Sequence, residues 1–293
     1  MAKPTIANVA ELAGVSQATV SRALRGATNV TEETRIKVQR AADQLNFTLS
    51  KSASALASGK TMRVILLVSG KLNEWFNSGV LQGVYEELAP VGYDVTPAFI
   101  TDRSELDRFF SQLPKSRNAD AIIISSFQLM PAMRDQLQAI DLPTVGVNVP
   151  AESGYFDASI SIDNSSAMTM AVRLLRSLGH TNIAFCSDYI PADMVYNTSQ
   201  RTQAFADAAQ ANATDGITFS LLTADAHDAP LSKSDLASQL TAKLLSLPER
   251  PTAVCVETDQ VAIALVKELR KQQLNVPEDI SVLGFDDAEI AQA

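Results

Sequence analysis

Between residues 16 and 22 the chain places Ser16, Gln17, Ala18, Thr19, Ser21 and Arg22 within two helical turns. Gln17 carries an amide that can pair with adenine, Arg22 a fork that can pair with guanine, and Ala18 a methyl-sized contact. Thr5, Ser16, Thr19 and Ser21 are short donors suited to phosphate oxygens, which position a protein on a duplex without specifying sequence. This is recognition chemistry. Signs of bond-breaking chemistry are weak. The two histidines, His180 and His227, are far apart, and His180 follows Leu178-Gly179 at a helix end, where it reads as a turn residue. No HExxH, GxSxG, CxxC or dinucleotide-binding glycine fingerprint occurs. Ala57-Ser58-Gly59-Lys60-Thr61 imitates the end of a phosphate-binding loop, but Ser54 stands where the motif needs glycine, and a strand follows instead of preceding. Asp286-Asp287 could do acid–base work, although ligand hydrogen bonding in a turn fits better. No catalytic residue, metal site or cofactor is expected.

Three short helices are expected to position the recognition residues. Ile6, Val9, Ala10 and Ala13 fall on one helical face behind Thr5 as N-cap, and Gly14 stops that helix. Ser16 caps a second helix, Gln17 to about Leu24, whose inner side is Val20 and Leu24. Thr31 caps a third, with Glu32 and Glu33 at its positive end and Val38, Ala41, Ala42 and Leu45 inside. Only Val15 and Ser16 separate Gly14 from the second helix. Such a tight join gives the steep angle of a helix-turn-helix, which delivers the second helix to the major groove.

Charge agrees with that division. Residues 1–60 hold eight basic and four acidic side chains, a balance of +4, while the remainder carries −13 of the total −9. A basic head on an acidic body suits a nucleic-acid module joined to something that repels phosphate. The 293 residues are 46% hydrophobic, too apolar for disorder. No run approaches the length of a membrane helix, and the first residues lack a signal-peptide pattern. Cys186 and Cys255 each sit in an apolar strand-like run, the pattern of buried thiols in a reducing cytoplasm.

Thr5 to Leu24 (TIANVAELAGVSQATVSRAL), Val30 to Arg35 and Ala41 to Phe47 together resemble the headpiece of LacI/GalR-type bacterial transcription repressors. The resemblance implies a double-stranded, pseudo-palindromic operator, a homodimer or higher assembly, and a hinge over residues 46–60. In that hinge Leu56 matches a leucine that wedges into the minor groove and kinks the DNA. Four positions depart from the family's pattern: Leu49-Ser50 replaces Pro-Asn, Ser54 replaces an arginine, and Arg25 replaces an asparagine. They point to a hinge that docks less firmly, or on a different operator centre.

The body reads as alternating strands and helices. Strand-like runs fall at 64–68, 94–100, 121–125, 144–149, 159–162, 183–187, 217–222, 253–257 and 280–284. Helical periods such as Val80-Val84-Leu88, Met168-Val172-Leu175 and Val261-Leu265-Leu269 lie between them, the rhythm of a doubly wound parallel sheet. The fold class expected is α/β: two such lobes, periplasmic-binding-protein-like on the resemblance, preceded by a small all-α helix-turn-helix domain. The domains expected are 1–45 (headpiece), 46–60 (hinge) and 61–293 (effector binding, with lobes about 61–160 and 161–285). A ligand would sit at the carboxyl ends of the strands. The exit of the first strand, Ser69 to Phe76, should line the cleft, with Trp75 or Phe76 as a stacking face. Carried over by place in the family's pattern, Asn148, Asn197, Arg201, Thr258 and Asp286 would contact an effector, for which a sugar or sugar derivative is the family's commonest choice, with nucleobases behind. The chain stops at Ala293, where family members usually continue, so the resemblance implies a shortened C-terminal part, lower stability and weaker effector response. The alternative function is a sugar receptor, or a degenerate sugar-processing enzyme, with a basic appendage.

Overall fold

In the computed structural model, the described residues are 4–48, 60–116, 118–149, 156–190, 194–213, 216–226 and 231–292. Leu56 and most of the expected hinge lie outside them. The chain divides into two compact units, Met1–Arg63 with Asn118–Asp120, and Val64–Arg117 with Ala121–Ala293.

The first unit holds α1 (Ile6–Ala13), α2 (Gln17–Leu24) and α3 (Glu32–Gln44), with the bounds that the caps foretell. Thr5 and Asn8 form a reciprocal capping box, the Thr5 backbone N–H donating to Asn8 Oδ1 at 3.0 Å. Gly14 adopts φ +67°, and its N–H and that of Val15 return to the carbonyls of Glu11 and Ala10, closing α1. Ser16 and Thr31 accept the N–H groups of Thr19 (3.1 Å) and Thr34 (3.4 Å) at the heads of α2 and α3. One core joins the helices: Val9, Ala10 and Ala13 meet Val20 and Ala23, with Val38, Ala41 and Ala42 behind.

The second unit is two α/β lobes. The first contains β1 (Arg63–Ser69), α4 (Trp75–Leu88), β2 (Asp94–Ile100), α5 (Arg103–Ser116), β3 (Ala121–Ser125), α6 (Pro131–Ala139), β4 (Thr144–Val147) and β5 (Ala158–Ile160). Its sheet runs β2-β1-β3-β4-β5. The second contains α7 (Asn164–Ser177), β6 (Asn182–Ser187), α8 (Asn197–Ala211), β7 (Thr218–Thr223), α9 (Lys233–Leu245), β8 (Ala253–Val256), α10 (Asp259–Lys271) and β9 (Ser281–Leu283), with sheet order β7-β6-β8-β9. Strands pair in parallel, for example Val64 with Ala121 and Ala184 with Val254.

Alternation along the central strands makes the second lobe three-layered. Ala184, Cys186, Val254 and Val256 pack on one face against Leu236, Leu240, Val261 and Leu265 of α9 and α10. Ile183, Phe185, Ala253 and Cys255 pack on the other against Met168, Val172 and Phe205 of α7 and α8. The two cysteines therefore point to opposite faces of adjacent strands, and both are buried thiols.

Several strands end one or two residues before the hydrophobic pattern does. Asn148 at φ +53° follows the end of β4, β8 stops at Val256 with Glu257 and the α10 cap Thr258 beyond it, and β5 spans Ala158–Ile160 rather than 159–162. The lobes are joined by chain at residues 161–163 and by a bridge that the sequence did not announce. Phe127 pairs antiparallel with Tyr196, Gln128 donates its N–H to the Val195 carbonyl at 2.8 Å, and Asn197 donates to Ser126 at 3.0 Å.

Candidate functional site

Two surfaces carry the candidate chemistry. On α2, Val20 and Ala23 turn into the core while Ser16, Gln17, Ala18 and Arg22 stand exposed, with Thr19 and Ser21 half-buried beside them. The αL turn at Gly14 and the Ser16 cap fix where α2 begins, so its first turn is presented to solvent. Arg22 Nε donates to the Ala18 carbonyl one turn back at 3.2 Å. The Ser16 and Thr19 hydroxyls pair with each other at 2.9 Å, and the Thr5 hydroxyl donates to Asn8 Oδ1 at 2.7 Å.

The second surface is a cleft of about 670 Å³ between the two lobes, at the carboxyl ends of their strands. That volume suits a small ligand. Trp75, Phe76, Asn148, Asn197, Arg201, Thr258 and Asp286 all line it. These seven, expected here from the family's pattern, come from both lobes.

Arg201 is the centre of the cleft floor. It projects from the second turn of α8 and is 3% exposed. Its Nη1 donates to the Glu257 carbonyl and lies 3.3 Å from Asp286 Oδ1; its Nε donates to Asn164 Oδ1 at 3.3 Å. The guanidinium stacks on Phe285, 3.7 Å from the ring centroid. Burial pushes its pKa down, and the charges of Asp286 and Glu257 oppose that shift. An amide relay continues outward: Asn164 Nδ2 donates to Asn197 Oδ1 at 2.8 Å, Asn197 to Asn148 Oδ1, and Asn148 Nδ2 reaches Ser126 Oγ at 3.4 Å. The relay crosses from the second lobe to the first. Asn148 and Asn197 line the cleft, and buried Asn164 holds the relay from behind, so the two lining amides are fixed in place.

Asp286 and Asp287 sit in left-handed backbone, φ +111° and +53°, which is the turn expected of them. Burial raises Asp286 to about 6, aided by Asp259, while Arg201 and a hydrogen bond from Trp75 pull the other way. Trp75 begins α4 in the first lobe, so that bond also spans the cleft. Its ring lies edge-on to Phe76, centroids 5.8 Å apart, and remains 40% exposed. Thr258 is committed as the N-cap of α10, accepting from Val261.

Sequence reading missed Asp188, Glu257, Asn164 and Phe285. Asp188 and Glu257 directly follow β6 and β8, and the strand-end rule applied evenly would have flagged both. Glu257 is 5% exposed, and burial raises its pKa to about 7. Its carboxylate accepts the Asp188 backbone N–H, with the Asp188 carboxylate raising its pKa and Lys233 and Arg201 lowering it. His180 lies in a turn, its Nδ1 2.9 Å from Thr252 Oγ1, away from the cleft. Among the described residues no group of three or more His, Cys, Asp or Glu is set to hold a metal ion, and no helix is long and apolar enough to cross a membrane.

A capped recognition helix and a two-lobed cleft define a ligand-responsive DNA-binding protein, and relatives say which kind. Residues 5–50 match the profile of bacterial regulatory proteins of the lacI family, and residues 172–293 that of the periplasmic binding protein-like domain. The chain is 31% identical over 291 residues to the transcriptional repressor PurR of Vibrio cholerae, spanning 98% of this chain and 83% of that one. A lac repressor dimer bound to operator and the anti-inducer ONPF shares the fold, with TM-score 0.78 at 23% identity, over 98% of this chain and 84% of that one. The regulator CelR in complex with cellobiose matches with TM-score 0.63 at 26% identity, covering 99% and 84%. This chain belongs to the LacI family. It is a DNA-binding transcriptional regulator with a small-molecule effector domain, and not a sugar-processing enzyme.

Proposed function

We propose that the protein is a repressor that binds a pseudo-palindromic operator as a homodimer or higher assembly and is controlled by a sugar or sugar derivative in the cleft. The observation that carries this reading is the pairing of exposed Gln17, Ala18 and Arg22 with buried Val20 and Ala23 on one short capped helix. Gln17 and Arg22 read base edges, Ala18 packs on a base, and Thr5, Ser16, Thr19 and Ser21 hold phosphates. One such helix reads too few base pairs for useful specificity, which is why two copies are needed. Leu56 supplies the minor-groove wedge from a hinge over residues 46–60, between a headpiece of residues 1–45 and an effector domain of residues 61–293. Its place of action is the cytoplasm.

In the cleft, Trp75 and Phe76 cover a ring, while Asn148, Asn197, Arg201, Thr258 and Asp286 meet its hydroxyls. CelR and its cellobiose support a sugar as the ligand class. The ligand never touches DNA. It favours one arrangement of the lobes, and the dimer's hinges follow, with a coupling of about 1–3 kcal/mol. Selecting operators from random duplexes, with and without a panel of sugars, tests the reading. It expects enrichment of a two-fold symmetric site whose occupancy one sugar changes about 5- to 150-fold. An unstructured selected pool, or occupancy unmoved by every ligand, would overturn it.

A further inference from the structure

The chain approaches β1 through a kink, and one carboxylate holds that kink. Asp120 is half-buried in the segment between α5 and β3. Its Oδ1 accepts the Thr61 backbone N–H at 2.7 Å and the Thr61 hydroxyl at 2.9 Å, and its Oδ2 accepts the Met62 N–H at 2.9 Å. The Asp120 N–H returns to the Arg63 carbonyl at 2.8 Å. Met62 lies at φ +52°, a conformation that a side chain of its kind seldom adopts and that persists only where neighbours hold it. The first lobe carries a plainer version of this contact elsewhere. There Asp157 accepts the N–H and hydroxyl of Thr144 through one oxygen, at 2.7 and 3.0 Å, and so aligns the first residue of β4. Asp157 grips one residue inside a strand. Asp120 grips two consecutive residues outside one, across a change of direction.

We propose that Asp120 is a positioning residue for operator binding, which sets the direction in which residues 46–60 join the effector domain. This rests on the reading of that segment as the hinge, and adds to it the side chain that fixes its exit. β1 and β3 start at Arg63 and Ala121, the residues that follow Met62 and Asp120, and they pair in parallel along their length. At their far ends Ser69 and Ser126 line the cleft. Stiff elements and hydrogen-bond networks are what carry coupling between distant sites. A carboxylate fits the task, because it offers two acceptors and no donor to two adjacent N–H groups, and such charge-assisted bonds are strong.

Binding of the full chain to the duplex it selects, in competition with random duplex, tests the inference. Asp120→Asn keeps one acceptor and turns an amide donor toward the other N–H. It should weaken binding to the selected duplex about ten-fold and to random duplex less than three-fold. In a Leu56→Ala background the same change should alter binding to the selected duplex less than two-fold, because the wedge that it positions is gone. Asp157→Asn, the matched loss at the start of β4, should change the ratio of selected to random binding less than two-fold. Thr61→Val removes the hydroxyl contact alone and should act in the direction of Asp120→Asn by about three-fold, which reads out the clamp even where circular dichroism finds Asp120→Asn unfolded. An unchanged ratio in Asp120→Asn and Thr61→Val, a loss that adds in full to that of Leu56→Ala, or an equal loss in Asp157→Asn would overturn the inference. A Leu56→Ala variant that binds the selected duplex as the parent does would instead remove the hinge reading, and the inference with it.

Discussion

Arg22 is one side chain whose consequences can be isolated, because it is exposed while Val20, Ala23 and half-buried Leu24 carry the packing of that part of α2. Arg22→Ala should leave the fold intact, cost about 1–3 kcal/mol of operator binding and relax preference at one base pair per half-site. Competition between a selected operator and random duplex checks this, and an unchanged affinity ratio would remove α2 from base reading. Glu257 gives a second prediction. Its carboxyl titrates near 4.5 when solvated and near 7 in the fold, where burial dominates and the Asp188 carboxylate adds to it against Lys233 and Arg201. Between those values the folded state holds a proton that the unfolded state has lost. The stability from this group is thus full below about pH 4.5 and falls as pH rises through 7. Glu257→Gln keeps an acceptor for the Asp188 N–H without the charge. Urea denaturation should find the variant more stable than the parent at pH 8, by on the order of 3 kcal/mol, and equal to it at pH 4.5. A variant less stable at pH 8 would mean that Lys233 and Arg201 outweigh burial.

At the scale of elements, the exit of β9 shows how tightly the cleft is tied to the second lobe. Asp259, 7% exposed at the start of α10, accepts the Ala288 N–H at 2.8 Å, and its own N–H reaches the Phe285 carbonyl at 2.8 Å. Between these contacts Gly284 leaves no room: a Cβ there would stand 2.2 Å from Asp259 Oδ1. Gly284→Ala must displace a buried carboxylate, and thermal unfolding should reveal a loss of about 1–3 kcal/mol together with weakened ligand binding. Unchanged stability would show that Asp259 can move freely. The proposed hinge over residues 46–60 has a role that can be tested too. Its apolar residues are few, Phe47, Leu49, Leu56 and three alanines, and a helix so short would be marginal in water. Folding of residues 46–60 should therefore be coupled to operator binding. Leu56→Ala should weaken operator binding far more than non-specific binding, and hydrogen exchange should slow across the segment only on the specific complex. Equal protection with and without operator would mean a preformed hinge.

Across the whole molecule, the split between a +4 head and a −13 remainder makes DNA affinity a property of the head alone. Phosphate contacts release counterions, so log K against log salt should fall with a slope of about −0.9 for each neutralised phosphate. Filter binding between 50 and 200 mM salt measures that slope, and a flat response would contradict a phosphate-anchored headpiece. The acidic remainder opposes non-specific adhesion to nucleic acid, which widens the gap between specific and random sites.

Local rules were enough for the headpiece. Thr5, Gly14, Ser16 and Thr31 act within four residues of themselves, through caps and one left-handed turn, so α1 to α3 and their core were legible from spacing. The α/β rhythm was legible for the same reason, since side-chain alternation and helical period are properties of the chain. Places in a family pattern even gathered the seven cleft residues. Their state was not legible. That Arg201 is buried against Phe285 and Asp286, that Trp75 reaches Asp286 across the cleft, and that Asn148, Asn197 and Asn164 form one relay depend on residues up to 211 positions apart. Glu257 shows the limit most clearly. As a letter beyond an apolar run it is an ordinary charged strand end. Only the packing of α8, α9 and β6 around it removes its water, and the loss of that water is what turns a surface carboxylate into a buried group titrating near neutrality.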